Sequence, residues 1–285
     1  MDSLRDVEVP QTAVGQEGGS LTDCGAGDRL GEPRSVLITG GVSGLGRAVA
    51  ERLLALGYRV TVTHRTAHAK AESFAAQATG QGQELLTLAA DAGEEAAARA
   101  SVEAHRHRFG VPWAFVHAAG PFLTPQTAFA DVEIGKLREI VDGNLWSAML
   151  YAHLLLKDMR SQRGGRLIFF GFDEAAELPA WPGRAVYAAA KSGVLSLAKS
   201  LAEEEAPYGI TVNAICPGDI RRPLKEGTIT QARGTDEGAA PIGRPGSGED
   251  IARVVEFLLA DDSDFLTGNI IAVDGGLDVI HKGRG

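Results

Sequence analysis

Residues 35–56 read SVLITGGVSGLGRAVAERLLAL, and the rest of the chain is best read outward from them. Ser35 to Thr39 is a short apolar run of the kind that forms a buried parallel strand. Gly40-Gly41-Val42-Ser43-Gly44-Leu45-Gly46 follows at once, and Arg47 to Leu56 carries the 3.6-residue apolar period of a helix packed on a sheet. Strand, glycine turn and helix in that order is the context a nucleotide-binding glycine motif requires. Glycines let the backbone approach a pyrophosphate, and the helix N-terminus offers it free N–H groups and the positive end of a dipole.

The same alternation continues downstream. Strands are expected at Tyr58 to Thr63, Glu84 to Ala90, Pro112 to Val116, Leu167 to Phe170, Ile210 to Ile215 and up to Val273. Helices are expected at about Ala67 to Thr79, Glu94 to Phe109, Val132 to Ser161, Tyr187 to Ala202 and Gly248 to Leu259. Alternating strands and helices imply one α/β domain over residues 34–285, a Rossmann-type doubly wound parallel sheet with helices on both faces. Residues 1–33 are polar and glycine-rich without apolar periodicity, and are expected to form a flexible tail.

Composition narrows the function. A net charge of −9 argues against a nucleic-acid partner or an anionic membrane surface. No apolar run reaches the ~18 residues of a membrane span, and no secretory signal is evident after Met1. Cys24 and Cys216 offer neither a disulfide framework nor metal-ligand spacing, so the expectation is a reducing, cytoplasmic compartment and no metal. Any anionic ligand must be held by local groups.

Chemistry concentrates in Arg166 to Lys191, which opens with the strand Leu167 to Phe170 and ends in Tyr187-Ala-Ala-Ala-Lys191. On a helix, the i,i+4 spacing puts Tyr187 and Lys191 on one face. An ammonium beside a phenol favours phenolate, which equips the tyrosine for proton transfer.

The Thr39-Gly40-x3-Gly44-x-Gly46 pattern together with Tyr187-x3-Lys191 resembles the short-chain dehydrogenase/reductase family. The resemblance runs from Arg34 to about Gly276 and implies seven strands, a nicotinamide cofactor, a small-molecule substrate and a homodimer or homotetramer. It assigns Tyr187, Lys191 and Asn144 to catalysis. For the cofactor it marks Thr39, Gly40, Ser43, Gly44, Leu45 and Gly46, then Asp91 beside the adenine. It adds Ala119 and Gly120, and Pro217, Gly218 and Ile220 beneath the nicotinamide. Asn144 matches the family's asparagine that holds a water in the relay to the lysine, and Asp142-Gly143 hints at a local kink.

His64 and Arg65 follow the second strand, and no acid lies between Glu51 and Glu72. A carboxylate there would bind the ribose hydroxyls of NAD, whereas Arg65, with His64, can pair with a 2′-phosphate. NADP(H) is therefore favoured over NAD(H).

Several positions depart from the family pattern. His117-Ala118-Ala119-Gly120 stands where the family has Asn-Asn-Ala-Gly, so His117 is expected to act as a hydrogen-bonding strut. No serine or threonine lies between Arg166 and Tyr187, where the family places a catalytic serine. Asp173 falls near that register, as in pteridine reductases, and Glu174 and Glu177 are alternatives. Arg221-Arg222 replaces a threonine, and 223–247 is the expected substrate lid. His105-Arg106-His107-Arg108 and Glu203-Glu204-Glu205 read as solvated helix ends. The expected activity is reduction of a 3-oxoacyl or similar ketone, with Tyr187 as proton donor. A pteridine or imine reductase using Asp173, or an NADP(H)-binding sensor with decayed chemistry, are the alternatives.

Overall fold

A computed structural model describes residues 33–172, 175–178, 180–235 and 240–277. Seven strands form one parallel sheet in the order β3-β2-β1-β4-β5-β6-β7. They are β1 (Ser35–Thr39), β2 (Arg59–His64), β3 (Leu85–Ala89), β4 (Ala114–His117), β5 (Gly165–Phe170), β6 (Ile210–Pro217) and β7 (Ile270–Val273). The helices are α1 (Gly44–Ala55), α2 (His68–Gly80), α3 (Glu95–Phe109), α4 (Ile134–Val141), α5 (Ser147–Gln162), α6 (Ala185–Glu205), α7 (Ile229–Arg233) and α8 (Gly248–Leu259).

Alternation along the strands builds two cores. Leu37 and Phe115 point to one face, where they join Leu155 of α5 and Val194 of α6. Val36, Ile38 and Val116 point to the other, against Leu53 of α1, Phe74 of α2 and Val255 of α8. Both faces are thus covered, which is why the strands read as continuous apolar runs rather than alternating ones. Strand order reverses between β1 and β4, and a doubly wound sheet opens its ligand crevice beyond the carboxyl ends of the strands at such a point.

Three expectations change. The helix expected from Val132 to Ser161 is broken into α4 and α5 by a π-helical turn, Asp142–Trp146. This is the kink hinted at by Asp142-Gly143, and π-turns recur at functional sites. The expected lid contains the short helix α7, started by a capping box in which Thr228 and Gln231 satisfy each other's backbone N–H groups.

The two clusters expected to be solvated each bury one member. His105 is fully buried, with its ring nitrogens 2.8 Å from Thr61 Oγ1 and 3.1 Å from Ser35 Oγ. Glu205 is buried and accepts two hydrogen bonds from Arg160, at 2.7 and 2.5 Å. Helical periodicity turns one residue of each run inward, where a partner waits on another element. The expected tail falls almost wholly on residues 1–32, outside the described residues.

Candidate active site

A cleft of about 1110 Å³ opens at the carboxyl ends of β1, β4, β5 and β6. Its floor begins with the glycine turn. Gly40 has φ of +69°, and a Cβ there would lie 2.9 Å from Ala119 Cα, so only glycine lets the β1 and β4 ends approach each other. Gly40, Ser43, Gly44, Leu45 and Gly46 all line the cleft. The Gly44 N–H donates to Glu226 Oε1 at 2.7 Å, so the N-terminal end of α1 already holds a carboxylate. Sequence reading passed over Glu226, which lies within the expected lid.

One end of the cleft is lined by His64, Arg65, Lys70 and Asp91. His64, expected just past the end of β2, lies within it. It is the last residue of that strand, it is buried, and its ring meets His68 edge-on. Burial, and secondarily His68, lowers its pKa, so it is neutral near pH 7 and can offer a hydrogen bond but no charge. Arg65 is more than half exposed and pairs with Glu139 at 3.4 Å. An ion pair that long and wet is worth about 0–1 kcal/mol, so it leaves the guanidinium free to change partner. Asp91 Oδ1 accepts from the Gly93 N–H at 3.1 Å and shapes the loop after β3.

At the centre, Ala119, Gly120, Pro217, Gly218 and Ile220 line the cleft together with Tyr187 and Lys191. Thr39 and Asn144 do not; they are fully buried behind its wall. His117 ties them together. Its Nδ1 lies 2.9 Å from Thr39 Oγ1, and its Nε2 lies 3.2 Å from the Asn144 carbonyl oxygen and 3.1 Å from Ser147 Oγ. A carbonyl only accepts, so Nε2 carries the proton and Nδ1 accepts from the Thr39 hydroxyl. Thr39 in turn accepts from the Ala119 N–H at 3.3 Å. The strut expected of His117 is thus realised, and burial holds its pKa down at about 3. Asn144 Nδ2 donates to the Ile140 and Pro121 carbonyls, each at 2.9 Å, while its Oδ1 is buried with no hydrogen-bond partner. A Cβ on Gly120 would run into this amide, which explains the glycine.

Tyr187 and Lys191 share the inner face of α6, with the Lys191 ammonium 5.9 Å from the tyrosine ring centroid. Lys191 Nζ donates to the Phe170 carbonyl at 2.7 Å, and burial lowers its pKa to about 8. The expected depression of the phenol by Lys191 is not what the geometry produces. Burial holds the Tyr187 pKa above its ordinary value, Cys216 adds to the rise, and Arg184 opposes it. Burial disfavours the phenolate, so the hydroxyl stays protonated at neutral pH.

Aromatic rings wall the remaining end. Phe122 meets Tyr187 edge-on at 4.8 Å between centroids, and Phe172 lies 5.0 Å from Trp181. Asp173 and Glu174 lie outside the described residues, and Glu177 is exposed and does not line the cleft. Among the described residues no group of His, Cys, Asp or Glu has metal-binding geometry. No helix among them is long and apolar enough to cross a membrane.

Comparison with known proteins agrees with this architecture. Residues 40–278 match the family model described as "Enoyl-(Acyl carrier protein) reductase". The chain is 39% identical to "Putative oxidoreductase YtkK" of Bacillus subtilis, over 88% of this chain and 99% of that one. It is 32% identical to the 3-oxoacyl-[acyl-carrier-protein] reductase FabG of Escherichia coli, over 87% and 99%. Among solved structures, that of a "putative 3-oxoacyl-reductase from bacillus thuringiensis" superposes with a TM-score of 0.82 at 40% identity, covering 88% of this chain and all of that one. The chain belongs to the short-chain dehydrogenase/reductase family of oxidoreductases.

Proposed function

We propose that this protein is an NADP(H)-dependent carbonyl reductase in which Tyr187 delivers the proton to the substrate oxygen. The observation that carries this reading is one continuous cleft, with a glycine turn that already binds a carboxylate at one place and the Tyr187–Lys191 pair at another. The chain's residues fit the cofactor. A carboxylate oxygen on the Gly44 N–H stands in for a phosphate oxygen, and the close approach of Gly40 to Ala119 leaves the floor free of side chains. When bound, the cofactor supplies the hydride.

The remaining work falls to named side chains. Gly44 and Leu45, at the start of α1, would hold the diphosphate, Arg65 with Lys70 the 2′-phosphate, and Asp91 the adenine side. Pro217, Gly218 and Ile220 would support the nicotinamide, and Lys191 its ribose. With its pKa raised, Tyr187 is neutral at working pH, which is the form that donates. Lys191, with its pKa near 8, can pass a replacement proton on, and the buried, unpartnered Asn144 Oδ1 would accept from a relay water. Asp173 remains the candidate for the role of the missing serine. The FabG relatives and levodione reductase of Leifsonia aquatica, 35% identical over 85% of this chain, support a ketone substrate. Exposed Ile134, Trp146 and Met149 on α4, the π-turn and α5 support a homo-oligomer.

Fluorescence titration with NADPH and NADH tests the assignment. Tighter binding of NADPH in the wild type, lost in Arg65→Ser, is expected. Preference for NADH would remove Arg65 as the phosphate reader, and absence of binding to either would remove the enzyme reading.

A further inference from the structure

Arg184 does not itself line the cleft but stacks on Phe122, which does, and the mechanism leaves it unused. It immediately precedes α6 and stands three residues before Tyr187, one helical turn away and toward the same side. Its guanidinium lies 4.5 Å from the centroid of Phe122, a ring that lines the cleft and is 44% exposed. Nε and Nη1 are buried, and neither has a hydrogen-bond partner. Arg160 and Arg244 are answered by acids, Glu205 and Asp250, and although Arg106 and Arg166 also keep a buried Nε without a partner, the rest of each guanidinium donates to backbone carbonyls.

A guanidinium cannot shed its charge by deprotonation at any physiological pH. Buried N–H donors left without acceptors carry a desolvation penalty, which stacking on Phe122 offsets only in part. Such a group persists when a ligand supplies the acceptor. The surroundings restrict what that ligand is. Phe122, Phe172 and Trp181 form an apolar wall beside Tyr187, suited to a flat or apolar body. Arg184 and Tyr187 also feel each other electrostatically, so the cation lies within reach of the reacting end of the site.

We propose that Arg184 binds the carboxylate of the substrate, so that the protein reduces an oxo acid whose apolar body packs on Phe122, Phe172 and Trp181. This deepens the carbonyl-reductase reading and rests on it. Two N–H groups of the guanidinium would meet the two carboxylate oxygens, which fixes the carbonyl relative to the Tyr187 hydroxyl.

The test is a matched series of ketones: benzoylformate, 3-benzoylpropionate and 4-acetylbenzoate, each against its methyl ester, with the full-length protein and NADPH. For at least one acid, kcat/KM is expected to exceed that of its ester by about 10- to 100-fold, as loss of a charge-assisted pair predicts. In Arg184→Met that acid-to-ester ratio should collapse toward one, mainly through KM, and Arg184→Lys should restore part of it. No acid preference in the wild type, or an equal loss for acid and ester in Arg184→Met, overturns the proposal. Calorimetric binding of 4-phenylbutyrate to the cofactor complex separates the two readings. Arg184-dependent binding without turnover of any ketone keeps the carboxylate site and removes the reductase. Binding indifferent to Arg184→Met removes the carboxylate site and leaves the reductase untouched.

Discussion

The centre and the outer end of the cleft are built on opposite rules. Behind the centre, Thr39, His117, Ser147 and the backbone carbonyl of Asn144 satisfy one another in a fully buried network. At the aromatic end, Arg184 keeps two buried nitrogens without partners beside an exposed ring. A satisfied polar network contributes rigidity and a single geometry, whereas an unsatisfied one keeps binding capacity in reserve. The proposal for Arg184 turns on this difference between positioning and binding.

The largest effect should come from removing the Tyr187 hydroxyl, the proposed proton donor. Tyr187→Phe is expected to lower kcat by about 10²- to 10⁴-fold while leaving NADPH binding intact. Steady-state turnover beside fluorescence titration decides it, and retained turnover would end the tyrosine assignment.

Acid should attack the sealed interior before the open end. His117 and His105 have pKa values lowered to about 3 and about 4 from 6.5. Below pH 6.5 the unfolded chain protonates both rings and the folded chain does not, so stability falls as pH drops from 6.5 toward 4. Each ring contributes at most about 1.4 kcal/mol per pH unit. The urea midpoint should therefore drop between pH 7 and pH 5, and less steeply in His105→Gln. A midpoint that ignores pH over this range contradicts the neutral, buried histidines.

The smallest effect concerns the glycine turn, where the site is filled by its own chain. Glu226→Gln removes a negative charge from the N-terminal end of α1, and NADPH affinity should rise a few-fold, on the order of 0.3–1 kcal/mol. Unchanged or weaker binding would show that Glu226 does not compete for that place.

Local pattern makes much of the fold readable. The apolar runs of β1 to β7, the glycine turn and the helical period of α1 each lie within a dozen neighbouring residues, and all are legible in the sequence itself. Asp142-Gly143 even marks the π-turn. What misleads is any residue whose role depends on a distant partner. His105 reads as a surface cation until Thr61 and Ser35 are seen beside it. Lys191 reads as the group that lowers the Tyr187 pKa until the burial of the phenol, which raises it, is seen. Arg184 stands one turn from Tyr187 in the sequence, but nothing local says that its nitrogens are buried and unpaired.

By itself, then, the sequence determined the parallel sheet, the glycine turn, the pairing of Tyr187 with Lys191 on one helix face and the family to which the chain belongs. These follow from backbone periodicity and from spacing, which act between near neighbours. Tertiary structure alone decided that His64 and His117 are neutral, that Glu226 occupies the α1 N-terminus and that two nitrogens of Arg184 are buried without partners. Burial and hydrogen-bond partners set those outcomes, and both arise only when segments far apart in the chain are packed together.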